Sequence, residues 1–345
     1  MKTPLSSWRA LAVASSTTLL VVGLGTLGQW VEPDTTPTSA AARINYAETD
    51  ALSAAVSSVA AQPASLEAAQ LSNSGIAALA RHAEHRARIE LKQIKRAERL
   101  AKTPFSFVFA VFNILGSNHT APGADADSYA PGRLRAEWAA QVAAGWGMDV
   151  IGFSEIQPDQ LDAFIRTTGG KYDVWPGDTY GFYSVPASLA WDTSRFTATA
   201  KEVITIPFVG QQRQMPVVRL KESVTGREFW VINAHNAPQG RQGERDAAMA
   251  IEIAKIKELE ATGLPVFFGG DLNEKTNAVC KVTSQTSLVA ASPMGNYEGC
   301  SGWSGMRIDW LFGSKVTFSG YAQDRSALVS RITDHAVVVA KATVK

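Results

Sequence analysis

The chain has 345 residues, 46% of them apolar and 19% charged, which suits a molecule with a proper core and excludes wholesale disorder. Its 33 Lys+Arg and 32 Asp+Glu nearly cancel, so no whole-surface charge argues for nucleic acid, and such a partner has to be argued from a site. Two cysteines, Cys280 and Cys300, exclude a disulfide-framework miniprotein and a multi-thiolate zinc domain.

Residues 1–31 read as an export segment. Lys2 and Arg9 are the only charges before Ala10–Val31, an uncharged run whose 22 residues match the ~20 needed to cross a ~30 Å hydrocarbon core. Ser15-Ser16-Thr17-Thr18 weakens its hydrophobicity, and Ser39-Ala40-Ala41-Ala42 offers small residues to a peptidase. A membrane anchor and a cleaved signal peptide both fit, and both place the rest of the chain outside the cytoplasmic membrane, tethered or secreted. Residues 32–65, rich in Ala, Ser, Thr and Pro, cannot bury enough surface to offset ordering entropy and read as a flexible linker. Over 66–102 the pattern becomes a helical stalk, with Ile76, Ala80, Ala83, Ala87, Leu91, Ile94, Ala97 and Ala101 on one stripe. Residues 81–102 carry eight basic and three acidic side chains. That helix can touch lipid headgroups or nucleic acid, or it can be a solvated stalk whose alanine face packs weakly on the next domain. The small alanine face favours the stalk.

Thr103-Pro104 ends the helix, and a domain over 105–345 begins. Apolar runs rich in aromatic and β-branched residues predict strands at Phe105–Leu115, Val150–Phe153, Leu189–Trp191, Phe229–Ala234, Val266–Phe268, Trp310–Phe312 and Ala336–Ala340. Between them Leu134–Ala144 and Glu244–Glu260 have helical periodicity. The second has Ala247, Ala250, Ile251, Ala254 and Leu259 as its apolar side. Buried strands interleaved with helices indicate an α/β sandwich and not an all-β barrel.

Polar residues fall at the strand ends. Asn113 follows Val-Phe, and Glu155 follows Gly-Phe-Ser. Asn233 and His235 close Trp-Val-Ile-Asn-Ala-His, and Asp271 and Asn273 follow Phe-Phe-Gly-Gly. Asp309 precedes Trp-Leu-Phe, and Asp334-His335 opens the last strand. One such residue is an ordinary strand cap, but six sets together are not, because strand ends in one sheet gather at one edge. The carboxylates and asparagines offer hard oxygen ligands, with little nitrogen and no sulfur for zinc, a shell suited to Mg²⁺ or Mn²⁺. Two imidazoles beside carboxylates can move a proton and donate to a phosphoryl oxygen. Together these groups describe phosphate-ester hydrolysis.

Phe112-Asn113-Ile114, Ser154-Glu155-Ile156-Gln157, Asn233-Ala234-His235, Gly270-Asp271-Leu272-Asn273, Arg307-Ile308-Asp309-Trp310 and Thr333-Asp334-His335 occur in the order of the endonuclease/exonuclease/phosphatase superfamily, which the domain resembles over about 105–343. The resemblance implies a four-layer α/β sandwich, with two central mixed β-sheets flanked by helices. His235-Asn236-Ala237-Pro238 and the cysteine-bearing loop after Asn273 are most similar to pancreatic-type deoxyribonucleases. By that resemblance Glu155 is the principal metal ligand, assisted by Asn113 and Asp334, and the metal is Mg²⁺ (or Mn²⁺). Asp271 and Asn273 position water and phosphate, His335 oriented by Asp309 is the acid/base, and His235 is the second imidazole. Asn233 and Gln157 are candidate substrate contacts, and Arg241 and Arg245, on the helix after His235, are either further contacts or solvated helix charges. The chain departs from those nucleases in three places. No acid in Gly181–Pro186 pairs with His235, and Leu115 and Gln157 stand where they carry arginines.

The implied function is an exported, divalent-metal-dependent phosphodiesterase of DNase type. Its expected partners are a phosphodiester, DNA first, and a membrane through the N-terminal segment if uncleaved, and no protein partner is implied. A lipid phosphodiesterase or phosphatase of sphingomyelinase or inositol-phosphatase type shares the same core, and a long exposed aromatic hairpin would mark it. A non-catalytic binding module would have lost Glu155, Asp271 or a motif histidine, and all are present. Cys280 and Cys300, the only cysteines, are expected to pair in an oxidising compartment.

Overall fold

The computed structural model describes residues 73–293 and 308–345. The export segment, the linker and Cys300 lie outside them. Helix α1 (Asn73–Ala101) precedes the sandwich. Its side chains are exposed from Ala80 to Arg99, the alanine stripe included, so that stripe does not pack on the sandwich as the stalk reading expects. Among the described residues no helix is long and apolar enough to cross a membrane.

The domain is built on two six-stranded sheets. The first contains β1 (Phe105–Asn113), β2 (Val150–Ser154), β3 (Tyr172–Trp175), β4 (Leu189–Asp192), β11 (Val316–Asp324) and β12 (Val337–Val344), in the order β11-β12-β1-β2-β4-β3. The second contains β5 (Phe196–Phe208), β6 (Gln211–Glu222), β7 (Glu228–His235), β8 (Val266–Asp271), β9 (Val289–Ala290) and β10 (Asp309–Gly313), in the order β5-β6-β7-β8-β10-β9. Helices α2 (Gly132–Trp146) and α3 (Pro158–Thr167) cover the first sheet, and α4 (Gln242–Glu260) and α5 (Thr276–Gln285) cover the second.

Strand β1 shows why its sequence is apolar without alternation. Phe105, Phe107, Phe109 and Val111 point between the sheets, while Ala110 and Phe112 point at the helices of the first sheet. A strand buried on both faces has no polar side to present. Between the sheets Phe107 stacks on Phe229 at 4.9 Å and meets Phe267 edge-on at 5.0 Å. The partners Phe229, Val231 and Phe267 alternate with Trp230, Ile232 and Phe268, which pack under α4 and α5.

Two features depart from the sequence reading. Strands β5 and β6 form a long hairpin through Val209-Gly210, both at positive φ (52° and 74°). That is the geometry of a two-residue mirror-image turn, but valine is not a residue that announces it. The Glu244 carboxylate receives the Val209 and Gly210 N–H groups and holds the tip. On α4 the buried face is Arg245, Ala248, Met249, Glu252, Ile253, Ile256 and Leu259, rotated from the predicted stripe, of which Ala247, Ala250, Ile251 and Ala254 are exposed and Leu259 is buried. The true stripe contains two charged residues, so a pattern of apolar spacing rejects it.

Candidate active site

Parallel β1 and β2 set Asn113 beside Ser154, and parallel β7 and β8 set His235 beside Asp271. Antiparallel β10 puts Asp309 opposite Asp271. The carboxyl ends of the central strands of both sheets therefore meet at one edge. Close approach of β7 and β8 needs Gly270, where a Cβ would lie 1.8 Å from Ala234 O. Just past their strands Leu115, Glu155 and Asn273 turn through positive φ (55°, 64° and 51°). Non-glycine residues pay for that conformation, and here it aims the side chains at the edge into a cleft of about 560 Å³.

The Asn113 amide holds the centre together. Its Nδ2 donates to Glu155 Oε1 at 2.9 Å and Asp271 Oδ2 at 3.0 Å, while its Oδ1 accepts the Leu115 N–H at 3.0 Å. Glu155 Oε2 accepts the Gly116 N–H at 3.2 Å. Asp271 Oδ1 accepts the Asn273 N–H, and Asn273 Nδ2 donates to Asn236 O at 2.8 Å. Asp271 Oδ2 faces His235 Nε2 at 3.7 Å and His335 Nε2 at 3.8 Å. His335 Nδ1 lies 2.9 Å from Asp309 Oδ2. Beneath the site Arg135, fully buried, donates to the carbonyls of Ile114, Leu115 and Ile332 and so ties the Asn113 and His335 loops together.

Charge follows from these contacts. Burial would raise Glu155, but the hydrogen bonds from the Asn113 amide and the Gly116 N–H favour its charged form, and the carboxyl sits below its usual range, ionised. Burial and the neighbouring Asp309 push Asp271 up to about 6. Burial would lower His335, but the hydrogen bond and charge of Asp309 prevail and push it up to about 10. Burial also holds Asp309 above the usual carboxylate range. We place the pair's proton on His335, because an imidazole takes a proton ahead of a carboxyl in the same hydrogen bond. Burial lowers His235, which stays neutral. Among the described residues Asp271 is the only carboxylate in ion-pair range of His235, in keeping with the missing acid at 181–186.

The cleft brings together Glu155, Gln157, His235, Asp271, Asn273, Asp334 and His335, with Asp309 behind His335. Glu155, His235 and Asp271 offer ligand atoms all within 4.8 Å of one another, a donor set that fits a divalent cation. Asp334 is exposed at the rim and lies outside that group. Four residues take other roles than the sequence suggested. Asn113 turns its NH₂, not its oxygen, toward the carboxylates, because the Leu115 N–H needs the oxygen as acceptor. Asn233 is fully buried and donates to Phe153 O at 2.7 Å and Ala187 O at 2.9 Å, clamping β7 to the first sheet, and it does not line the cleft. Arg245 is buried, with its guanidinium spent on Glu274, Ala237 O, Gln239 O and Gln242. Arg241 is exposed, paired with Glu244 at 2.8 Å and outside the cleft lining.

The site also holds residues the sequence reading missed. Arg213, on β6, lines the cleft with its guanidinium 4.4 Å from the Phe208 ring centre and 5.5 Å from that of Tyr183. It supplies a cation where Leu115 and Gln157 do not, and recognising the β5–β6 hairpin would have found it. His119 and Asp125, from the segment between β1 and α2, line the cleft as well.

The two sheets, their helix layers and the cleft at their shared edge define the endonuclease/exonuclease/phosphatase fold. An endonuclease/exonuclease/phosphatase protein from Bacteroides vulgatus superposes with a TM-score of 0.57 at 18% identity, covering 70% of this chain and 100% of its own. A mannosyl-6-phosphatase from Bacteroides thetaiotaomicron gives 0.53 at 19% identity, covering 69% and 100%. The human nocturnin catalytic domain, solved with a bound sulfate, gives 0.52 at 14% identity, covering 69% and 94%. No family model matches the sequence, and no curated protein does.

Proposed function

We propose that the chain is a divalent-metal-dependent phosphodiesterase of deoxyribonuclease type that hydrolyses nucleic acid from an exported or membrane-tethered position. The observation that carries this reading is one cleft holding an ionised Glu155, a buried Asp271, a neutral His235 and a His335–Asp309 pair. Glu155 would hold the ion, with Asp271 and His235 beside it, and when bound it supplies charge neutralisation on a phosphoryl oxygen. Asp271, poised near 6, accepts a proton from water as the water oxygen bonds to phosphorus. The bond from phosphorus to the leaving oxygen breaks, and protonated His335 gives that oxygen its proton. Asn273 fixes Asp271 through its backbone N–H, and Arg213 meets a non-bridging phosphate oxygen.

The mannosyl-6-phosphatase and nocturnin folds support phosphoester chemistry on this scaffold by analogy. A disulfide between Cys280 and Cys300 belongs to the same reading, since export supplies the oxidising compartment. One observation favours the lipid alternative. Tyr180, Phe182 and Tyr183 are 49–56% exposed beside the Arg213 wall, a place where apolar rings can meet a bilayer. The test is hydrolysis of DNA, RNA, sphingomyelin, an inositol phosphate and a simple phosphomonoester by the full chain, with Mg²⁺ and with EDTA. Metal-dependent cleavage of DNA above the others is expected. Turnover confined to sphingomyelin or to phosphomonoesters would replace this reading.

A further inference from the structure

His119 has no part in the chemistry above, yet it stands against the Glu155 carboxylate. Its Nδ1 lies 3.2 Å from Asp125 Oδ1, and its Nε2 lies 3.8 Å from Glu155 Oε2. An imidazole bonded at Nδ1 to a carboxylate keeps its proton there and presents the Nε2 lone pair on its other side. Here that lone pair faces a second carboxylate across a gap too wide for a hydrogen bond. Two electron-rich atoms turned toward each other at the wall of an open cleft are stabilised by a cation between them. His119, Asp125 and Glu155 all line the cleft, and His119 is 40% exposed, so an ion from solvent can reach the gap.

We propose that His119 is a nitrogen ligand to the divalent ion held at Glu155, oriented through Nδ1 by Asp125. The site consequently takes a transition-metal dication, Mn²⁺ before Mg²⁺. This rests on the reading of Glu155 as the metal carboxylate. His119 lies outside the Glu155, His235 and Asp271 group and would add its nitrogen through Glu155 Oε2 alone, which with His235 makes a mixed nitrogen and oxygen set. Imidazole nitrogen adds little affinity for Mg²⁺, which prefers oxygen, and more for Mn²⁺, Co²⁺ or Zn²⁺. The all-oxygen shell inferred from the strand ends omits both imidazoles. The competing arrangement is a protonated His119 that pins its loop by pairing with Asp125 and Glu155, and in that case a bound ion would have to displace it.

The test uses the full chain, stripped with chelator and titrated separately with Mn²⁺ and Mg²⁺ by calorimetry, and then pulsed EPR of the Mn²⁺ form for ¹⁴N couplings. The variants are His119→Gln, Asp125→Asn and Glu155→Gln, with His235→Gln to assign the second imidazole. His119→Gln should weaken Mn²⁺ tenfold or more, change Mg²⁺ far less and delete one set of ¹⁴N couplings. Asp125→Asn should weaken Mn²⁺ by on the order of tenfold, the scale for losing a ligand's orienting partner. Unchanged Mn²⁺ affinity and couplings in His119→Gln would overturn the proposal, and so would tighter binding of both ions, the mark of a displaced cation. Undiminished Mn²⁺ binding by Glu155→Gln would instead sink the metal-site reading itself, which keeps the two failures distinct.

Discussion

Glu252 sits on the buried face of α4, fully enclosed, and receives one hydrogen bond, from Asn236 Nδ2 at 3.3 Å. Burial pushes its carboxyl up to about 8, far above its ordinary value of 4.5. The folded protein thus holds this proton more tightly than the unfolded chain does. Stability from this group is complete below about pH 4.5 and is lost as pH rises through about 8. At 1.36 kcal/mol for each pH unit separating the two values, the loss amounts to about 5 kcal/mol. That is comparable to the whole stability of many domains, about 5–15 kcal/mol. Glu252→Gln keeps the shape, removes the titration and offers an N–H to Asn236 Oδ1, which has no partner among the described residues. The variant should match the wild type near pH 5 and exceed it increasingly up to pH 9, by several kcal/mol, in urea denaturation run at each pH. Parallel stability curves for the two proteins from pH 5 to 9 would refute the reasoning. They would mean that Glu252 ionises alike in the folded and unfolded states.

Glu155→Gln should abolish metal-dependent turnover while leaving the urea midpoint near wild type, since an amide keeps the shape and removes the charge that holds a hard cation; near-normal rates at saturating metal would count against it. His335→Ala should lower kcat by ~10²-fold or more, with Asp309→Asn nearly as damaging, and multiplying effects in the double variant would show that the two do not act as one unit. Asn233→Leu should destabilise by about 2–4 kcal/mol, read by urea denaturation, because it leaves the Phe153 and Ala187 carbonyls buried without their donor. A rate loss in Asn233→Leu with stability intact would return Asn233 to the substrate contacts. Cys280 and Cys300 should be found joined by mass spectrometry of the exported protein, contributing ~3 kcal/mol in the chain-entropy model, and alkylation of both without reductant would exclude the bridge.

The polar strand ends were legible in the sequence because they depend on local order alone. A strand buried on both faces must be apolar throughout, so Asn113, Glu155, His235 and Asp271 stand out where such runs stop. Their convergence follows from topology, since parallel neighbours carry their carboxyl ends to one edge. What each side chain does there is a matter of partners that lie far away in sequence. Asn113 and Asn233 are the same residue type at the same kind of position. One is turned toward carboxylates by the Leu115 N–H, and the other is taken by the Phe153 and Ala187 carbonyls. The sequence offers Arg245 as a substrate contact or a solvated charge and does not single out Glu252, and only the packing of α4 shows one saturated by carbonyls and Glu274 and the other enclosed and neutral. Arg213 and His119 reach the cleft from a hairpin and a loop that no hydrophobic period marks. Periodicity reports which face of an element is buried, but the identity of the neighbour across a contact is set only when distant segments pack.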